Sequence, residues 1–180
     1  YDQGWFLETP TTRTAIDLVG GPPGNPGFRM DDASLDLFAD SADALFISHW
    51  HNDHADPEVA RRFLARNKPV VAPADVFRNL PELQKQLTVL ERSTTIEHTV
   101  GRLKVTVFPG HQGKTVINNC YCLRPPDGPT VLHTGDQSND DDFTWLDVVH
   151  KTHRVDALLP NCWTNSPLRL VDGVKPVITL

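Results

Sequence analysis

Six consecutive positions, His49 to His54, hold three of the chain's eight histidines together with the carboxylate of Asp53. What flanks this cluster constrains the chain as much as the cluster does. Ala44–Ser48 before it is a compact apolar run of the kind that forms a buried strand. Asp56 and Pro57 after it supply a capping residue and a proline at the first helical position, and Val59, Phe63 and Leu64 then recur at helical spacing through Arg66. The cluster therefore occupies a strand-to-helix connection, where α/β folds gather functional groups. Residues two apart in an extended segment point the same way, so His49 and His51 can chelate one ion. The turn into the helix then swings Asp53 and His54 toward a second. Imidazoles with carboxylates suit zinc, and also iron or manganese, because such donors discriminate weakly among divalent ions.

The remaining sequence alternates strand and helix signals. Trp5–Leu7 and Arg13–Leu18 read as an opening hairpin turned by Thr9–Pro10–Thr11, followed by a Gly- and Pro-rich loop from Gly20 to Gly27. Asp32 is placed to cap a short helix through Leu35–Phe38. Pro69–Ala72, Leu87–Leu90, Thr94–His98 and Leu103–Phe108 read as strands, with a helical stretch near Ala74–Leu80. Val116–Leu123, Thr130–Leu132, Val155–Leu159 and Pro176–Leu180 are further strands, and Asp141–His150 is a helix. No internal repeat or low-complexity segment interrupts the 180 residues, so a single layered α/β domain spanning 1–180 is expected.

The HxHxDH run resembles the signature of the metallo-β-lactamase superfamily. Two later segments fall in the order that family requires, Phe108–Pro109–Gly110–His111 and His133–Thr134–Gly135–Asp136. The resemblance implies an α/β fold of the αββα-sandwich type and a metal-dependent hydrolase with two ions, most simply zinc. It also implies ligand roles: His49, His51 and His111 on one ion, Asp53 and His54 on the other, and Asp136 bridging them. Asp53 would in addition orient the attacking water. Zinc β-lactamases themselves usually carry a cysteine or serine where this chain has Asp136, so the likeness is to the lactonase, thioesterase and phosphodiesterase branches. His51 separates the chain from the iron-type redox members, which resemble HxExDH. The superfamily also places one more histidine just beyond the last strand, and the chain stops at Leu180 before reaching it. The expectation is a fold shortened at its C-terminus, with a weakened second metal position and a tendency to self-associate into a homo-oligomer.

Trp50 sits between two ligands and either lines a substrate pocket or packs the ligand loop. Cys162 follows the apolar strand Val155–Leu159 and is the other pocket candidate, against the alternative of a buried inert thiol. His133 is weighed as a supporting partner of Asp136, whereas His98, His150 and His153 read as structural or exposed. Cys120 and Cys122 lie two apart in a strand and read as buried small apolar side chains. Three cysteines without CxxC spacing give no disulfide framework and favour a reducing, cytoplasmic setting, although a removed signal peptide is compatible with a chain that begins at Tyr1.

A formal charge of -6 offers no basic face for phosphate backbones, and no run approaches the roughly 20 apolar residues of a membrane span. The expected partner is therefore a small molecule rather than nucleic acid or membrane, and the resemblance implies an ester, lactone or phosphodiester. The competing expectation is a catalytically impaired metal-binding or interaction domain derived from the same fold.

Overall fold

The computed structural model describes residues 4–21, 27, 29–161, 164 and 166–180. They form two compact units, Tyr1–Leu90 and Glu91–Leu180, each built on its own mixed sheet. The α/β expectation holds in both. No helix among the described residues is long and apolar enough to cross a membrane.

In the first unit, β1 (Trp5–Glu8) and β2 (Arg13–Ile16) pair antiparallel across a turn that Thr9 closes, its amide donating to the Thr12 carbonyl at 2.8 Å. β3 (Ala44–Phe46) lies parallel to β2, and β4 (Val70–Val71) lies parallel to β3. Parallel pairing needs crossovers, and two helices provide them. α1 (Asp32–Ser41) begins one residue earlier in its capping than expected. The cap is Asp31, whose carboxylate accepts the Ser34 N–H at 2.7 Å, and Asp32 is the first helical residue. Two adjacent aspartates compete for that position, and the one that reaches the third helical amide takes it.

α2 (Pro57–Ala65) follows the histidine cluster as expected, with Pro57 in its first turn and Asp56 accepting the Glu58 amide at 2.8 Å. The other Asp56 oxygen takes the Gly20 N–H at 2.9 Å, so one side chain both starts the helix and anchors the segment after β2. Val59, Ala60 and Phe63 form the buried face of α2, meeting Leu45, Ile47 and Val70 in the core of this unit. Burying Phe63 alone is worth about 2–3 kcal/mol. Two expectations shift here. Residues 75–79 form turns and the helix, α3, comes at Pro81–Gln84, where proline again supplies the first turn. Leu87–Leu90 contributes only an isolated bridge, Val71 to Thr88, in place of a strand. Most of the Gly20–Gly27 loop lies outside the described residues.

The second unit is a six-stranded sheet in the order β10-β9-β8-β7-β6-β5. Its strands are β5 (Glu97–Val100), β6 (Leu103–Gln112), β7 (Val116–Arg124), β8 (Val131–His133), β9 (Ala157–Leu159) and β10 (Ile178–Thr179). The run from β5 to β8 is antiparallel, and β8, β9 and β10 are parallel. β6 extends four residues beyond the expected end at Phe108, pairing Pro109 with Asn119, Gly110 with Asn118 and His111 with Ile117. Proline is tolerated because this stretch lies past the end of the β5 pairing, where a missing N–H costs no ladder bond on the open side.

The helix expected over Asp141–His150 is broken into a 3-10 turn (Asp140–Asp142), α4 (Phe143–Leu146) and a second 3-10 turn (Val149–Lys151). Consecutive β-branched residues Val148 and Val149 disfavour carrying the helix through. α5 (Pro167–Val174) was not legible as a helix in the sequence. Its buried positions, Leu170, Gly173 and Val174, sit at spacings of three and four against α4, and it ends at Lys175 with φ 51°. The core here joins Phe108, Cys120, Cys122, Leu132, Phe143 and Leu158, with the Phe108 and Trp145 rings stacked 4.9 Å apart. Both cysteines are buried and free, as expected for small apolar side chains.

Candidate functional site

Neighbouring parallel strands in the first unit deliver polar side chains from the same end. β2 ends at Ile16 and β3 at Phe46, partners in register, so Asp17 and the Ile47–His49 segment emerge side by side. This is the carboxyl end of parallel strands, where open α/β sheets place ligands. Asp17 is fully buried and holds φ 46°, a left-handed conformation that aspartate tolerates better than most residues. Its Oδ1 accepts the Ser48 backbone N–H at 2.6 Å, and its Oδ2 accepts the Ser48 hydroxyl at 2.7 Å. The same Oδ2 lies 2.9 Å from His54 Nδ1.

These bonds decide which ring nitrogens carry a hydrogen and which a lone pair. A carboxylate only accepts, so His54 Nδ1 carries the hydrogen and Nε2 carries the lone pair. The Ser48 hydroxyl spends its hydrogen on Asp17, so its oxygen accepts from His49 Nδ1 at 3.0 Å, and His49 is likewise left with its lone pair on Nε2. His49 Nε2 then lies 3.0 Å from His51 Nδ1. Two nitrogens bound to one tetrahedral ion at about 2.0–2.1 Å sit about 3.3 Å apart, so this pair is set close to chelating distance. Asp53 Oδ2 lies 3.6 Å from His54 Nε2. His49 and His54 are buried, Asp53 is half-exposed, and the donor set fits a divalent cation.

In the second unit, His111 lies within β6, three residues beyond the strand end expected at Phe108. Asp136 follows β8 directly and is buried. Gly135 takes φ 53° to make the bend, and the Asp136 amide donates to Asn118 Oδ1 at 2.9 Å. Asn118, on β7, returns its own Nδ2–H to the Thr134 carbonyl at 2.8 Å, bracketing the bend from both sides. Gln112 Nε2 donates to Asp136 Oδ2 at 2.9 Å, linking the residue next to His111 with the Asp136 carboxylate.

No family profile matches the sequence. Over 106 residues, 55% of this chain, it is 30% identical to a protein of Mycolicibacterium smegmatis named a Rieske 2Fe-2S iron-sulfur protein, and it spans 18% of that protein's length. Among solved structures, a metallo hydrolase from Ignicoccus hospitalis superposes with a TM-score of 0.68 at 15% identity, over 99% of this chain and 77% of that one. The diiron β-hydroxylase CmlA of Streptomyces venezuelae gives 0.68 at 19%, over 99% and 42%. The metallo-β-lactamase fold protein YhfI of Bacillus subtilis gives 0.57 at 18%, over 88% of this chain and 63% of its own.

The chain has the metallo-β-lactamase fold.

Within this metallo-β-lactamase fold the remaining candidates find their places. Trp50 packs edge-on to His51 with ring centroids 4.3 Å apart, carries the Arg78 guanidinium 4.7 Å over its face, and rests on the core of the first unit. Cys162, with Trp163, lies outside the described residues. His133 is buried in β8 opposite Tyr121 and Leu159. His98 meets the Glu91 carbonyl at 3.0 Å and His150 the Gly173 carbonyl at 2.8 Å. His153 stands edge-on to Phe108, where burial lowers its pKa from the ordinary histidine value. Asp17, Gln112, Asn118 and Asp142 were missed in the sequence. Asp17 alone carried a signal, a charged residue inside the expected strand Arg13–Leu18, which ends in the structure at Ile16; the others depend on strand register that the sequence does not display.

Proposed function

We propose that this chain is a metal-dependent hydrolase acting on a small ester, lactone or phosphodiester. His49, His51 and His111 are assigned to one ion, Asp53 and His54 to a second, and Asp136 to both, following the order of the metallo-β-lactamase motifs. The observation that carries the reading is the arrangement Asp17–Ser48–His49/His54, which turns Nδ1 of both histidines inward and sets His49 Nε2 3.0 Å from His51 Nδ1. Surface histidine clusters have no reason to fix their tautomers through a buried carboxylate. The comparisons support the coarser statement, since a protein named a metallo hydrolase shares the fold.

A bound divalent ion supplies a Lewis acid that polarises the scissile bond and lowers the pKa of water toward neutrality. The chain's own part is positional. Asp17, through Ser48 and His54, holds two imidazoles in one tautomer and adds basicity to them. Asp53, the more exposed carboxylate of the cluster, is assigned to orient the attacking water and take its proton. Gln112 and Asn118 keep the Asp136 carboxylate and backbone in place. Zinc is the metal of this proposal. Iron and manganese fit the same donors, and the likeness to a diiron enzyme makes the distinction worth measuring.

The test is elemental analysis of protein purified without added metal, alongside His49→Ala and Asp136→Ala, followed by lactone, thioester and phosphodiester turnover. About two ions per chain, reduced in both variants and accompanied by turnover of one substrate class, is the expected result. A wild-type chain that takes up no zinc, iron or manganese when these are supplied would overturn the proposal.

A further inference from the structure

His111 presents two donors to a single side chain. Its backbone N–H lies 2.8 Å from Asp142 Oδ2, and its ring Nδ1 lies 3.0 Å from Asp142 Oδ1. The Asp142 side chain is 6% exposed while the His111 side chain is 31% exposed, so the contact is shielded from water while part of the histidine stays accessible. The segment around Asp142 is tied to the same strand end in other ways. The Ser138 N–H donates to the His111 carbonyl at 2.9 Å, and the Gly113 N–H donates to Ser138 Oγ at 3.0 Å. The 3-10 turn that bears Asp142 is thus fixed against the end of β6 at one register.

We infer that Asp142 is a positioning residue that fixes the proton of the His111 imidazole on Nδ1 and presents the Nε2 lone pair for metal binding. The inference rests on the hydrolase reading for its purpose. The two donors meet different atoms of the Asp142 side chain, Oδ2 and Oδ1, and at this side-chain length only a carboxylate places an acceptor at both positions. An asparagine offers one acceptor and one donor. If its oxygen faces the ring, its NH2 opposes the backbone N–H. If its NH2 faces the ring, Nδ1 must give up its hydrogen and the proton moves to Nε2, which then cannot ligate. A glutamate keeps two acceptors on a longer arm. Partners of this kind typically change metal affinity 10- to 100-fold when removed.

The test begins without metal. Uniformly 15N-labelled full chain, freed of metal by chelation and held near pH 8 where an unperturbed imidazole is neutral, is examined by long-range 1H–15N correlation, with His111→Gln used to assign the ring. The expected spectrum shows a protonated Nδ1 and a bare Nε2 on His111. Asp142→Asn should move the proton to Nε2 or mix the two forms, and Asp142→Glu should keep the wild-type pattern. A purely structural tie would lower the melting temperature in Asp142→Asn with no change of tautomer, and that result overturns the inference. So does a wild-type ring protonated on Nε2, a result that needs no variant to fold. Zinc competition titrations should then give Asp142→Asn a 10- to 100-fold weaker affinity than wild type, with Asp142→Glu in between; equal affinities overturn the inference. Failure of the wild-type chain to bind zinc would count against the hydrolase reading, while the tautomer of the metal-free protein would still decide the role of Asp142.

Discussion

The Asp17 carboxylate takes both hydrogens that Ser48 can offer, the amide at 2.6 Å and the hydroxyl at 2.7 Å, from 31 residues away in sequence. That pairing sets the direction of the Ser48 hydroxyl and, through it, the tautomer of His49. Asp17→Asn keeps the size and tolerates φ 46°, but its NH2 cannot accept the second hydrogen. We expect Asp17→Asn to lose about 2–3 kcal/mol of stability in the metal-free protein, the cost of a buried donor left unmatched. Asp17→Ala should lose about 1 kcal/mol more, because alanine resists the left-handed backbone. Urea denaturation of the two variants measures both, and an Asp17→Asn midpoint equal to wild type would remove Asp17 from the account.

Gly110 lies on β6 opposite Asn118 of β7. A Cβ there would stand 2.6 Å from Cys120 Sγ and 2.9 Å from the Asn118 carbonyl oxygen. Gly110→Ala should therefore destabilise by about 2–3 kcal/mol, as overpacking of a well-filled interior does. Cys120→Ala in the same chain should restore part of the loss by removing the sulfur, but not all of it, because the Asn118 backbone cannot withdraw. Comparing the double variant with the two single variants gives the coupling directly. Additive losses would show that the sulfur is not the obstruction.

The sequence made the first unit's donors visible because they are contiguous. His49, His51, Asp53 and His54 occupy one turn between an apolar strand and a proline-led helix, and local signals at both ends survive in the structure. His111 and Asp136 were found only as members of an ordered set, since neither Pro-Gly-His nor Gly-Asp is informative alone. The residues that hold them were out of reach. Asn118 meets Asp136 through the β6–β7–β8 register, and Asp142 meets His111 through a 3-10 turn that reads as the start of an ordinary helix. The β6 strand outran its expected end for a related reason: proline and glycine are strand breakers by composition, yet this stretch of β6 lies beyond the β5 pairing. α5 was overlooked although Pro167 opens it and Leu170 and Val174 lie four apart, because eight residues give the pattern only two turns in which to repeat.

Burial pushes the Cys122 thiol up to about 12 and the Cys120 thiol higher still. A thiol with a pKa of about 12 is ionised to roughly one part in ten thousand at pH 8, so both should resist iodoacetamide in the native protein and react at once in urea. The same shift bears on stability. The folded pKa lies above the unfolded value of 9.0, so the protonated thiol's contribution is fully present below about pH 9 and is lost as pH rises toward 12. Urea midpoints should fall over that window, and Cys122→Ala should flatten the fall. Rapid native alkylation of either residue at pH 8 would show that the second unit opens far more readily than its packing implies.

Asp53 and His54 are neighbours in sequence with opposite structural standing, and their variants should separate metal binding from folding. The His54 side chain is 1% exposed and bonded to Asp17, whereas the Asp53 side chain is 47% exposed. Removing the imidazole in His54→Ala takes a partner from a buried carboxylate and leaves a void, so metal-free stability should drop by about 3 kcal/mol. Asp53→Ala should leave metal-free stability within about 0.5 kcal/mol of wild type, as substitutions at accessible positions usually do. Zinc removes the contrast. At a hundredfold excess over Kd a bound ion adds about 2.7 kcal/mol to the wild type, and loss of either proposed ligand should diminish that gain. Thermal melts with and without chelator, run on all three proteins, give the four differences needed. A zinc-induced stabilisation that persists undiminished in Asp53→Ala would exclude Asp53 as a ligand and leave it only the part of a proton acceptor.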